Sequence, residues 1–298
     1  MTSSQKSHPR IEVAAGAGFC FGVKRAVTMA SKAPQEYPGL SIRTLGPIIH
    51  NPQVVERLAG LGIHEAGDTD KLVSGVVIIR SHGITRQLTQ TLRLRPELTI
   101  IDATCPFVRR AQEIVAEMSR SGYLVFIVGE PNHPEVAGLI SYGEPKTTFV
   151  VSRAAEIPEA LINRQQFLKI AVLAQTTQTQ EVFAKVVRHL ISFKGEVRCF
   201  NTICNATSDR QQEALKLARR SDCMIIIGGR SSANTNRLQQ ICKQVQPASH
   251  HIETAAELQK EWFTKKITIG ITAGASTPKW LIDEVVEAIK TISNNPII

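Results

Sequence analysis

The sequence predicts an α/β protein built from three similar units in a pseudo-threefold, trefoil-like arrangement. Two observations carry this. β-rich apolar runs alternate with stretches of helical periodicity along the whole chain. Three cysteines, Cys20, Cys105 and Cys204, each follow a strand-like run and precede a helical one, and they lie 85 and 99 residues apart. A near-regular spacing of matching contexts is the mark of an internal repeat. The expected units are 11–104, 105–203 and 204–298, with one of these cysteines in each.

Each unit shows three elements in the same order. The first is strand, turn, cysteine and helix: "IEVAAGAGFCFGVKRAV", "LTIIDATCPFVRRAQEIV" and "GEVRCFNTICNATSDRQQEALKLA". Pro106 suits the first turn of a helix, so Cys105 stands at a strand-to-helix turn. The second element comes roughly 25 residues later. It is a strand, a glycine, a polar loop and a helix: "TLGPIIHNPQVVERL", "FIVGEPNHPEVAGLI" and "IIIGGRSSANTNRLQQI". The third is a strand ending in small or polar residues: "VVIIRSHGI", "IAVLAQTTQ" and "IGITAGAST". Helices are expected over "EVFAKVVRHLI" and "PKWLIDEVVEAIKTI" as well. Ligands of parallel sheets collect at the carboxyl ends of strands, where these loops lie, so the three sets are expected to converge on one centre.

Composition bounds the function. The chain has 298 residues, of which 43% are hydrophobic and 20% charged, which is ordinary for a globular protein. No apolar run approaches the ~20 residues of a membrane span. The opening "MTSSQKSHPR" has no apolar segment of the secretory kind, and the expected location is the cytoplasm. Six cysteines in a chain this long do not make a disulfide scaffold; they are core residues, metal ligands or reactive thiols. The net charge of +9 suits a polyanion, a phosphorylated small molecule or an acidic protein. The basic residues are scattered through many helices, which speaks against a nucleic-acid face.

Three convergent thiolates bind a metal or a cluster. Structural zinc asks for four protein ligands, and iron–sulfur clusters also usually use four, so three cysteines leave one iron open. Three buried core thiols are the plain alternative. Cys223 and Cys242 lie in apolar runs and read as core. Cys199 stands close to Cys204, but no thiol matches it in the other units.

The polar loops suggest an anion site. Helix N-termini offer free N–H groups and the positive end of a dipole, which favour phosphate. His50, His82, His133, Ser232, Asn234 and Ser276 lie in corresponding loops and strand ends and suit a diphosphate. Glu135 falls in the first turn of an expected helix. It is either a carboxylate that complements the dipole or, if buried, a proton donor with a raised pKa. Thr176, at a strand end, relays a proton or holds a substrate oxygen.

These residues carry a family resemblance. The ordered set "AGFCFGVKRAV", "IHNPQVVERL", "RSHG", "DATCP", "NHPEV", "QTT", "TSDRQ", "NTNRL" and "TAGAS" resembles the 4-hydroxy-3-methylbut-2-enyl diphosphate reductases of the non-mevalonate isoprenoid pathway, from about residue 11 to about 290. The resemblance implies three α/β lobes around a central [4Fe–4S] cluster held by Cys20, Cys105 and Cys204, one iron lacking a protein ligand. It implies reductive loss of an allylic hydroxyl as water, giving isopentenyl and dimethylallyl diphosphate. His50, His82, His133, Ser232, Asn234 and Ser276 would surround the diphosphate, with His133 near the reacting end. Glu135 would give protons and Thr176 assist at the hydroxyl. Electrons would come from a ferredoxin- or flavodoxin-type carrier. In one place the chain departs from the pattern: it reads "SSANTN", with Ala233 where many members have a second serine. One hydroxyl contact to phosphate is lost there, and Ser231 stands close enough in sequence to compensate.

Overall fold

The structure is a computed structural model describing residues 9–158, 169–264 and 267–294. Its strands are β1 (Arg10–Val13), β2 (Ile42–Thr44), β3 (Ile63–Glu65), β4 (Gly75–Ile79), β5 (Leu98–Asp102) and β6 (Leu124–Val128). They continue as β7 (Thr148–Val151), β8 (Lys169–Ala174), β9 (Glu196–Phe200), β10 (Cys223–Ile227), β11 (Ser249–Ile252) and β12 (Thr268–Ala273). These form three four-stranded sheets, ordered β3-β2-β4-β5, β7-β6-β8-β9 and β11-β10-β12-β1. Every pairing is parallel. The α/β expectation of three like units is met by three sheets of one topology.

In each sheet the chain enters at the second position, steps to one edge, crosses to the third position and ends on the other edge. In the third sheet that last edge is supplied by the start of the chain. β1 pairs with β12, Arg10 opposite Thr268 and Val13 opposite Ile271. The unit expected over 11–104 therefore gives its first strand to the sheet of the unit expected over 204–298. No local pattern announces this, because the bond is between distant segments.

The helices are α1 (Phe21–Glu36), α2 (Pro52–Ala59), α3 (Arg86–Arg93), α4 (Pro106–Arg120) and α5 (Pro134–Ile140). After them come α6 (Gln180–Leu190), α7 (Asn205–Ala218), α8 (Ala233–Val245) and α9 (Lys279–Asn294). Helices on both faces explain why the central strands are continuous apolar runs rather than alternating ones. Leu124, Phe126 and Val128 of β6 pack with Phe183, Val186 and Leu190 of α6. Val125 and Ile127, pointing the other way, meet Val115 and Met118 of α4 and Val136 and Leu139 of α5. In the third sheet Ile225 and Ile227 meet Leu281, Val285 and Ile289 of α9. Met224 and Ile226 meet Leu217 of α7 and Leu238 of α8. Each such side chain, fully buried, contributes about 1.5–3 kcal/mol.

The described chain forms two compact units. One contains residues 9–20, His50–Pro52 and 206–294, with the third sheet. The other contains Phe21–Ile49 and Gln53–Asn205, with the first two sheets.

Candidate active site

The three cysteines occupy one position, repeated. Cys20 follows β1, Cys105 follows β5 and Cys204 follows β9, and each directly precedes a helix. The amide N–H of each donates to the carbonyl two residues beyond the end of the neighbouring strand. Cys20 donates to Ala275 at 3.2 Å, Cys105 to Ser81 at 2.9 Å and Cys204 to Thr176 at 3.1 Å. That bond fixes the turn presenting each thiol. None of the three is in a disulfide, and all three are half-buried. The others differ: Cys223 and Cys242 are fully buried in the third sheet's cores, and Cys199 is exposed on β9. Burial pushes the Cys242 thiol up to about 12.

Neighbouring residues hold these turns in place. Gly22 packs so closely on Cys105 that a Cβ there would lie 2.5 Å from its Sγ, so any other residue would force the thiol or the helix to shift. Arg25 of α1 donates to the carbonyls of Thr104 at 3.2 Å and Asp102 at 3.3 Å, steadying the approach to Cys105. The loop leading to Cys20 is gripped through both kinds of backbone group. Arg210 of α7 donates to the carbonyls of Gly16 at 3.0 Å and Gly18 at 2.8 Å. Glu213, one turn on, accepts from the amides of Ala15 at 2.6 Å and Gly16 at 2.7 Å.

Polar groups gather beside the thiols in each unit. In the first, Ser276 Oγ donates to the His50 carbonyl at 3.0 Å. Gly229 makes room for that carbonyl, since a Cβ there would stand 2.6 Å from it. Ser232 caps α8, accepting from the Thr235 amide at 3.3 Å. Ala233 is the first residue of that helix, and Asn234, the second, is only 4% exposed. Both polar atoms of the Asn234 side chain lack a hydrogen-bond partner among the described residues. A buried amide left so costs roughly 1–3 kcal/mol, a cost that a bound polar ligand would remove.

In the second unit, the His82 and His133 rings meet edge to face with centroids 5.6 Å apart. His133 caps α5, its Nδ1 accepting from the Glu135 amide at 3.1 Å. In a neutral ring this leaves the proton on Nε2. Glu135 is 1% exposed. Its Oε1 accepts from the Thr176 amide at 2.7 Å and its Oε2 from the Thr176 hydroxyl at 2.8 Å. The carboxyl group thus turns to the end of β8. Burial pushes its pKa up to about 7, and the two bonds from Thr176, which favour the charged form, only partly offset this.

The structure sorts the expected residues by unit. Cys20, His50, Ser232, Asn234 and Ser276 belong to the first; Cys105, Cys204, His82, His133, Glu135 and Thr176 belong to the second. Among the described residues no group of three or more His, Cys, Asp or Glu side chains is close enough to hold a metal ion. Sequence reasoning assigned no role to Gly22, Arg25, Arg210 or Glu213, although the run "AGFCFGVKRAV" contains Gly22 and Arg25 and the run "TSDRQ" contains Arg210.

The sequence profile of LytB protein matches residues 11–290. The chain belongs to the LytB family. Among LytB relatives, the 4-hydroxy-3-methylbut-2-enyl diphosphate reductase of Geobacter sulfurreducens is 50% identical over 286 residues, covering 95% of this chain and 98% of its own. That of Pelobacter propionicus is 49% identical over 287 residues, covering 95% and 99%. A solved structure of (E)-4-hydroxy-3-methyl-but-2-enyl diphosphate reductase, the terminal enzyme of the non-mevalonate pathway, is similar with 47% identity and a TM-score of 0.70, covering 95% of this chain and 99% of that one. The E-1-hydroxy-2-methyl-but-2-enyl-4-diphosphate reductase from Plasmodium falciparum is similar with 25% identity and a TM-score of 0.84, covering 97% and 89%. The LytB fold of this chain is therefore the α/β fold read from its sequence.

Proposed function

We propose that this chain is a 4-hydroxy-3-methylbut-2-enyl diphosphate reductase. It removes the allylic hydroxyl as water: one C–O bond breaks, two electrons and two protons enter, and isopentenyl and dimethylallyl diphosphate leave. The observation that carries the reading is the threefold repetition of one bond, from a cysteine amide to the carbonyl two residues past a strand end.

Three half-buried cysteines on equivalent turns, none in a disulfide and with no fourth in that setting, fit a [4Fe–4S] cluster that keeps one iron without a protein ligand. Cys20, Cys105 and Cys204 would hold it. Bound there, the cluster would supply electrons one at a time and Lewis acidity for the departing hydroxyl.

The chain's own residues do the rest. Asn234, whose side-chain amide has no partner among the described residues, and Ser232, at the positive end of α8, suit the diphosphate. Ser276 and the imidazoles of His50, His82 and His133 add donors. Glu135 is largely protonated below a pH of about 7, so its carboxyl group can give a proton toward the leaving hydroxyl through the Thr176 hydroxyl. The carboxylate left behind is held by the amide and hydroxyl of Thr176. A ferredoxin- or flavodoxin-type carrier suits the basic chain as electron donor. Six cysteines, none in a disulfide, suit the reducing cytoplasm, and no described helix is long and apolar enough to cross a membrane.

Anaerobic purification with iron and sulfide analysis tests the centre. Replacing Cys20, Cys105 or Cys204 with Ser should strip iron and colour, while Cys199→Ser, Cys223→Ser and Cys242→Ser should keep them. Equal iron in all six would sink the three-thiol centre. Failure of the parent enzyme to convert the allylic diphosphate with a chemical reductant would sink the reaction.

A further inference from the structure

Two aromatic side chains stand in water beside the proposed ligand cysteines. Phe21, the residue after Cys20, is 67% exposed, and Phe107, two residues after Cys105, is 46% exposed. Single exposed apolar residues are ordinary. These two are not scattered, because the contact of Gly22 with the Cys105 thiol sets the first turn of α1 against the first turn of α4. Arg25 ties the same turns together through the carbonyls of Asp102 and Thr104.

The surroundings are basic. Lys24 follows Phe21 by one helical step and is exposed, as is Arg110, one step after Phe107. Thr28 and Lys32 of α1 line a groove with Asp102, and Arg86, Arg93 and Arg109 line a second groove that shares Asp102. Asp102 pairs with Arg109, and Glu113 with Arg110. Glu36, the last residue of α1, also lines the first groove. Lys24, Lys32, Arg86 and Arg93 make no salt bridge among the described residues. Six basic groups thus face three acidic ones, and four of the six remain uncommitted.

From this we infer that the first turns of α1 and α4, with the grooves around Asp102, form the docking surface for an acidic one-electron carrier protein. The inference rests on the reductase reading, and it names where electrons enter. Exposed aromatics ringed by charge are the makeup of an interface centre with a polar rim. Like charge around the rim steers an acidic partner and repels a basic one. The position also suits the chemistry, because electron transfer weakens steeply with distance and these aromatics adjoin two of the three thiols. Each encounter oxidises the carrier by one electron, and two encounters supply the pair the reaction consumes.

The test uses the cluster-loaded enzyme and an acidic [2Fe–2S] ferredoxin as the probe. Two readouts are taken: ferredoxin binding by calorimetry at several salt concentrations, and turnover driven either by reduced ferredoxin or by reduced methyl viologen, which needs no docking surface. Phe107→Ser, Lys24→Glu and the peripheral pair Lys32→Glu with Arg93→Glu should each weaken ferredoxin binding tenfold or more and flatten its salt dependence. Ferredoxin-driven turnover should fall in parallel, with iron content and viologen-driven turnover at parental values. Parental ferredoxin affinity in all of these variants overturns the inference. So does loss of viologen-driven turnover equal to the loss with ferredoxin in the peripheral pair, which lies away from the thiols. If the parent enzyme fails with both reductants, the reductase reading falls, and the binding measurements still decide the docking surface.

Discussion

Thr176 holds Glu135 at two points, its amide 2.7 Å from one carboxyl oxygen and its hydroxyl 2.8 Å from the other. The carbonyl of the same threonine accepts the amide of Cys204 at 3.1 Å. One residue therefore joins the buried carboxyl group to a thiol turn. A carboxylate that merely complemented the dipole of α5 would face the free amides of its own helix. Glu135 turns away from them, and His133 satisfies its amide instead.

A proton donor held this way should be hard to replace. Glu135→Gln keeps the shape and can still accept one bond from Thr176, but it has no acidic proton. Turnover should fall by about 10²–10⁴, the usual worth of general acid catalysis. Iron content should be unchanged, since the carboxyl group is not among the proposed ligands. Single-turnover kinetics with a chemical reductant would measure this, and near-parental turnover would return Glu135 to a structural role.

The same carboxyl group makes stability depend on pH in the less common direction. Its pKa is raised from 4.5 to about 7 by burial, so the folded state holds the proton more tightly than the unfolded one. Its contribution is fully present below about pH 4.5 and is lost as pH rises toward and through 7. The span corresponds to on the order of 3 kcal/mol. Glu135→Gln removes the dependence. The difference in unfolding free energy between parent and variant should move against the parent from pH 5 to pH 8. A flat difference would mean that the carboxyl is solvated.

The fold and site were legible where physics repeats over short distances. A thiol between a strand and a helix, three times over, and a polar loop before a helix, three times over, can be read from neighbours alone. The outer edge strands were harder. β3 reads "IHE" and β11 reads "SHHI", too short and polar to announce a strand; their partners in β2 and β10 decide them. α3 reads "RQLTQTLR" and buries only Leu92, so its periodicity has almost no apolar face to show. The place of β1 in the third sheet is set by hydrogen bonds to β12, far along the chain. Arg210 and Glu213 were hidden for the same reason: their partners lie nearly two hundred residues away. Nothing local distinguishes a clamping arginine from a surface one.

That clamp has a measurable effect on backbone amides. Glu213 accepts from Ala15 and Gly16, so Glu213→Ala should strip hydrogen-exchange protection from those two amides and leave β12 protected. Arg210→Lys loses the forked contact to the carbonyls of Gly16 and Gly18, which one ammonium cannot reproduce. Stability should drop by roughly 1–3 kcal/mol, and iron should leave the loaded protein faster under a chelator. The parental iron-release rate in both variants would mean that the loop before Cys20 holds its shape without them.

Gly22 offers the sharpest separation of site from fold. It lies in the first turn of α1, where Ala is intrinsically favoured over Gly by about 1 kcal/mol. On helix propensity alone, Gly22→Ala should stabilise the protein slightly. The new methyl group, however, would stand 2.5 Å from Cys105 Sγ and 3.2 Å from its Cβ. No real contact is that short, so either α1 shifts or the thiol rotates away. The backbone of Cys105 is anchored by its amide bond to Ser81, and α1 is anchored by Arg25 to the carbonyls of Asp102 and Thr104. The thiol, at the end of a single rotatable bond, is the part that gives way most readily. The expected outcome is a cluster-free protein with a thermal midpoint near the parent's, whose iron uptake on reconstitution falls several-fold. Alkylation of Cys105 in that cluster-free protein should speed up as its sulfur swings outward. A large fall in the midpoint, with iron uptake reduced only in proportion, would show that α1 gave way instead and that the contact guards the fold rather than the thiol.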